Sequence, residues 1–392
     1  MKNNNNNLLF FDIFITILIV GTVTFIKDQS DYSENEKRYL EKIPRLSLSD
    51  YSRGQYQKNL EKALSDQFAY SDIIKKNYNK IYDITKPFRN TICIDTYIDI
   101  GNYRSIYGCS GYIVFNSKNT RIFPNKTNKL FELFNELNNI TDVYYYIINT
   151  SIIYDFNTNK NTYNLSSIYK ENLKGNYKLE SFKFNNFKEY SKYFYKTDHH
   201  WNNKGSYKGY KDIMKMLGID DIKKPTSTIY FNKVKYYGTH SQQTRYYDSY
   251  DRFSMYKFDI PNHETFIDGE KGIYGSLDLY INVEKDKEKN NTNMYAEYYG
   301  NDYGEVIFDF FNEEKENLLI ISNSFDNAID ELIASHFNKT YIIDFRHNKN
   351  VNNSNLKDYI RENNINKVLI LSDYFFVDDT IKILTEEKND IQ

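Results

Sequence analysis

Four adjacent residues carry most of the chemistry this sequence offers. They are Asp198, His199, His200 and Trp201, in the stretch YKTDHHWNNKGSYKGY at 195–210. The chain has six histidines and one tryptophan, so this pairing is a concentration of scarce residues. In an extended or loop-like segment, residues two apart point to the same side. Asp198 can then accept from one ring nitrogen of His200, leaving the other nitrogen free as a base. That is two thirds of a nucleophilic triad, lacking only the nucleophile. His199 points away and receives no role. Two other readings compete. A metal site needs a third and fourth ligand. The remaining histidines, His240, His263, His336 and His347, lack metal-site spacing, and no metal or cofactor is expected. A solvated polar loop needs no partner, and these residues alone leave it open.

The candidate nucleophile lies in LLIISNSFDNAIDEL, 318–332. Here an apolar strand pattern runs directly into a helical one, with Ser324 at the junction. In open α/β sheets, ligands bind at the carboxyl ends of the strands. A helix start adds unpaired N–H groups and a partial positive charge, which suit a serine oxyanion. The competing reading is that Ser322 or Ser324 merely caps the helix.

These residues need a scaffold. FDNAIDELIASHF predicts a helix with Ile329, Leu332, Ile333, His336 and Phe337 on one face. YIIDF at 341–345 predicts a strand, NLKDYIRENN a helix and VLILSDYFF another strand. Strand–helix alternation with short connections implies right-handed crossovers and a mostly parallel sheet covered on both faces. DVYYYIINTS at 142–151 predicts a buried strand. GSYKGYKDIMKMLGI predicts a helix closed by Gly218. YNLSSIYKENLKGNYKLESFKFNN gives no clear assignment. VEKDKEKNNTNM, 283–294, is expected to be a solvated insertion.

The 392 residues suffice for a large core. Lysine plus arginine total 51 against 53 acids, a net charge of −2, which offers no basic face for nucleic acid. The 39 tyrosines and 27 phenylalanines suggest sugar stacking, but the asparagine and lysine excess beside them fits A/T-rich codon usage better. Cys93 and Cys109 are too few for a disulfide framework, and the sequence does not set their pairing. Residues 8–26 are apolar except for Asp12, and their length fits a membrane span. Near the end of a span an acid costs less than the ~3 kcal/mol expected at its centre. We expect an uncleaved signal anchor with the body outside the cytoplasm; a cleaved signal peptide and a secreted protein is the alternative. Tyr56, Leu60, Leu64 and Phe68, then Ile73, Ile74 and Tyr78, mark a helical lead-in. The expected domains are an anchor at 1–30, a lead-in at 31–90 and an α/β domain at 91–392.

TDHHWNNKGSYKGY resembles the signature of the DHHW family of bacterial surface proteins, relatives of the SGNH-hydrolase-like proteins that O-acetylate alginate in the periplasm. The resemblance extends to SENEKRYLEKIPRLS and GQYQKNLEKALSDQFAYSD, to GCSGYIVF at 108–115, and to YYGNDYGEVIFDF with the block from 316 to 346 ending in Asp-Phe-Arg. It implies an SGNH-like three-layer α/β/α sandwich with a circularly permuted motif order, the Asp–His block preceding the serine. It implies Ser324 as nucleophile, His200 as base and Asp198 as orienting acid. It also implies Arg346, Asn301, Asn323 and Trp201 as substrate or oxyanion residues. One departure stands out. Ser322-Asn323-Ser324 replaces an element that carries an aspartate before the serine. The implied activity is O-acetyl transfer to a cell-surface polysaccharide, with a multispanning membrane O-acyltransferase as acyl donor partner. An acetyl esterase with the same triad, and a non-catalytic glycan-binding or assembly protein, are the alternatives.

Overall fold

A computed structural model describes residues 3–33, 38–69, 97–101, 104–107, 110–115, 127–273, 289–291, 293–348 and 355–386. Cys93, Cys109, Ile73, Ile74, Tyr78 and most of the 283–294 segment lie outside the described residues. The chain divides into two compact units: residues 1–93 with 241–246, and residues 94–240 with 247–392.

In the smaller unit, α1 spans Asn3–Ile26 and α2 spans Gln55–Asp66. Buried Gln67 fastens the chain that follows α2. Its amide donates to the carbonyls of Ser30 and Glu41 and accepts from the Ser30 N–H. Over the described residues, no helix is long and apolar enough to cross a membrane.

The larger unit is built on an eight-stranded sheet. Its strands are β1 (Asp142–Ile148), β2 (Tyr177–Phe182), β3 (Glu264–Ile267), β4 (Glu270–Lys271), β5 (Glu305–Asp309), β6 (Leu318–Ile321), β7 (Lys339–Ile343) and β8 (Lys367–Ser372). Their spatial order is β4-β3-β5-β7-β6-β8-β1-β2. From β7 to β2 all neighbours run parallel, while β5, β3 and β4 pair antiparallel at the other edge. The sheet is therefore mixed but mostly parallel.

Alternation along the strands makes two cores. Tyr144, Tyr146, Leu318, Ile320, Leu369 and Leu371 face one side. Val143, Tyr145, Leu319, Ile321, Val368 and Ile370 face the other. Strands buried on both faces read as continuous apolar runs, as these do. Helices cover each face. Ile213, Met214 and Leu217 of α5 (Asn203–Leu217) join the first core. Leu130, Phe134 and Leu137 of α3 (Asn128–Asn138) join the second. So do Leu356 of α8 (Leu356–Glu362) and Phe376 of α9 (Tyr374–Glu386).

The predicted α5 forms, with Asn202 capping its start and Gly218 closing it at φ 78°. The segment without a clear assignment holds α4 (Leu165–Asn172) and edge strand β2. The helix expected after Ser324 is broken. A 3₁₀ turn at Asp326–Ala328 leads, through Ile329 at φ −142°, to the short α7 (Asp330–Ala334). The Asn323 side-chain oxygen accepts from the Phe325 N–H here, and a local side-chain bond of this kind competes with helical ones.

Candidate active site

The DHHW segment is a tight loop entering α5. Phe194 and Trp201 pair across it, and the Tyr195 N–H donates to the His200 carbonyl. The loop tip thus presents Thr197, Asp198 and His199, with His200 on the returning arm. The His200 N–H donates to Asp198 Oδ1 at 3.0 Å, which turns the chain so that the two side chains meet.

His200 Nδ1 lies 2.6 Å from Asp198 Oδ1, and His200 Nε2 lies 2.8 Å from Ser324 Oγ. An ionised carboxylate can only accept, so Nδ1 carries the proton and Nε2 is left to accept from Ser324. Asp198 is 1 % exposed. Burial works to raise its pKa, but His200, His199 and the hydrogen bonds from His200 outweigh it and hold the carboxyl well below its usual range. Its other oxygen accepts from the Tyr236 hydroxyl at 2.9 Å and the Thr239 N–H at 2.7 Å. Asp251 fixes the loop from below: its carboxylate accepts from the Lys196 N–H, the Thr197 N–H and the Thr197 hydroxyl.

Ser324 stands just past the carboxyl end of β6 and is half-buried. Its hydroxyl meets His200 rather than capping a helix, which separates the two readings of this junction. The Phe325 and Asp326 N–H groups are engaged by Asn323, leaving the N–H of Ser324 itself as the nearest candidate oxyanion donor. With only a 3₁₀ turn following it, the dipole of a long helix is not part of this site.

The other sequence-predicted residues fall elsewhere. Trp201 is fully buried and packs on Phe182 and Phe325, so its expected substrate contact is corrected to a packing role. A Cβ added to Gly209 would lie 2.6 Å from its ring, so the glycine in α5 makes the notch that receives the indole. Asn323 donates an amide N–H to Asp373 and accepts from the Phe325 N–H, which holds the serine turn. Arg346 is held by Asp344 through a two-pronged ion pair and by Asp302 at 3.1 Å. Its link to the serine turn runs through Asp302 and Asn327. Asn301 is exposed, between Gly300 and Asp302, both of which accept from the Asn327 amide.

Sequence reasoning missed Tyr236, Thr239, Asp251, Asp373 and Tyr295. None has a spacing signal. Gly238 was the available clue: a Cβ there would fall 2.3 Å from that of Asp198. Ligand atoms of Asp198, His199 and His200 lie close enough together to suggest a metal. Both ring nitrogens of His200 are committed to Asp198 and Ser324, however, which is the arrangement of an acid–base pair.

The fold has solved counterparts. A DHHW family protein from Eubacterium siraeum superimposes with a TM-score of 0.53 at 16 % identity, over 74 % of this chain and 97 % of that one. Bacillus cereus PatB1 gives 0.51 at 20 % identity, over 68 % and 95 %. A PatB1 structure with a sulfonyl adduct gives 0.53 at 22 % identity, over 70 % and 95 %. These likenesses establish a shared fold, and the DHHW protein among them matches the resemblance read from the motif. No protein-family model matches the chain, and no curated protein matches its sequence.

Proposed function

We propose that the protein transfers an acyl group, most simply acetyl, to a hydroxyl of a cell-surface polysaccharide through Ser324, His200 and Asp198. The continuous hydrogen-bonded chain from Ser324 Oγ through His200 to Asp198 carries this reading. His200 Nε2 takes the Ser324 proton as Oγ attacks the acyl carbonyl. Asp198 holds the tautomer and stabilises the imidazolium. The leaving group departs with the proton from His200, and acyl-serine remains. A sugar hydroxyl then gives its proton to Nε2 and attacks the acyl carbon, and His200 returns that proton to Ser324 Oγ as the acyl–serine bond breaks. The Ser324 N–H and exposed Asn301 are the proposed oxyanion donors.

The site is proposed to lie outside the cytoplasm. The exposure of Phe14, Ile15, Ile17, Leu18, Ile19, Phe25 and Ile26 along α1 supports a membrane anchor. Acyl-CoA would be absent there, so a multispanning membrane O-acyltransferase is the proposed donor partner. Ser324 is also open enough to admit water, which favours an acetyl esterase as the second reading.

The test uses the full chain in detergent micelles with a chromogenic acetyl ester. The expected result is turnover, or an acetyl adduct by intact mass, that disappears in Ser324→Ala and His200→Ala. An adduct that persists in both variants would sink the proposal. A rise in ester consumption when polysaccharide is added separates transferase from esterase.

A further inference from the structure

In the proposed reaction His200 must change charge without moving. Its imidazole is held by more than Asp198 and Ser324. The Tyr295 ring lies 3.9 Å from it, centroid to centroid, and only 6° from parallel. Phe325 meets it at 5.2 Å and 59°. Tyr295 is buried and comes from α6 (Met294–Tyr299), outside both motifs.

We infer that Tyr295 is a positioning residue for the His200 imidazole. The inference rests on the triad reading. Asp198 fixes one ring nitrogen, but rotation about that bond would still swing Nε2 away from Ser324 Oγ. A ring stacked face to face blocks this rotation. When Nε2 takes the serine proton, the new cation also lies over a π face, an attractive arrangement.

Among the described residues, the Tyr295 hydroxyl is buried without a hydrogen-bond partner. Burial keeps the phenol neutral by holding its pKa well above the ordinary value.

The test reads the labelling of Ser324 by phenylmethylsulfonyl fluoride, followed by intact mass on the full chain in detergent micelles. This needs neither acyl donor nor acceptor. Tyr295→Leu should slow labelling about threefold to tenfold, the span expected for loss of one aromatic stack. Tyr295→Phe, which keeps the ring, should restore most of the rate. A second readout is the His200 ring proton shifts by NMR, displaced by the ring current in wild type and Tyr295→Phe and relaxed in Tyr295→Leu. If Tyr295→Leu does not fold, Tyr295→Met serves in its place. A wild type that labels at Ser324, with the Leu or Met variant labelling equally fast, overturns the inference and spares the triad. A folded wild type that does not label at all overturns both.

Discussion

Asn323 donates its side-chain amide to Asp373 over 2.8 Å, joining the serine turn after β6 to the end of β8. Asp373 also accepts from the Phe376 N–H and is 1 % exposed. The carboxylate missing at position 323 is therefore present one strand away, bonded to the residue that replaced it. Burial raises the Asp373 pKa. Asn323→Asp would set two buried carboxyl groups side by side, and they would have to share a proton. One folded-state pKa then rises above its unfolded value. The variant should match wild type best in acid and lose stability as pH climbs through that raised value. We expect its stability to fall behind wild type as pH rises above about 4, by ~3 kcal/mol once the pH has passed the raised value. Parallel curves would refute the pairing.

Asp251 is a second pH handle. Burial, opposed by three hydrogen bonds from Lys196 and Thr197, pushes its carboxyl up from 3.8 to about 6. Its folded pKa exceeds its unfolded one. Its contribution is thus fully present below about pH 4 and lost as pH rises through about 6. Asp251→Asn should flatten this stretch of the curve of melting temperature against pH. It should also cost ~1–3 kcal/mol, because an amide offers one acceptor oxygen where the carboxylate had two. An unchanged slope would assign the pH dependence to another group.

Asp198 depends on donors from 236–239. Tyr236→Phe removes the hydroxyl but leaves the Thr239 N–H. Labelling of Ser324 should fall about tenfold, equivalent to ~1.4 kcal/mol, with the fold retained. Asp198→Asn should fall further, by ~10⁴, because an amide no longer holds the productive tautomer. Equal effects from the two variants would contradict this ranking. Gly238→Ala forces a Cβ into Asp198 and should act like loss of the acid.

Gly209→Ala tests the notch in α5. The added Cβ would overlap the Trp201 ring, so the indole or the helix must shift. Overpacking of this kind costs ~1–3 kcal/mol. Urea unfolding should show that loss, although alanine is the better helix former in isolation. A stabilised variant would mean that Trp201 is looser than described.

β1, β6, β7 and β8 were legible because they are short continuous apolar runs, and burial on both faces demands that pattern. α5 was legible because Gly218 closes it. The segment holding α4 and β2 was not legible. In β2 the alternation Tyr177-Lys178-Leu179-Glu180 is short, and Ser181 interrupts it. The helix expected beyond Ser324 was read from local spacing, and the Asn323 side chain, tied to Asp373 and accepting from the Phe325 N–H, opposed it.

By itself the sequence determined the residue types of a triad and the proximity of two of its members. A carboxylate and an imidazole two positions apart can meet wherever the chain turns. Tertiary structure decided that Ser324, 124 positions away, completes the line, since it brings the turn after β6 against that loop. It also decided that Trp201 is buried, that Asn323 answers to Asp373, and that Tyr295 stacks on His200. Each of these is a contact between side chains from separate elements, and spacing along one chain carries no record of such contacts.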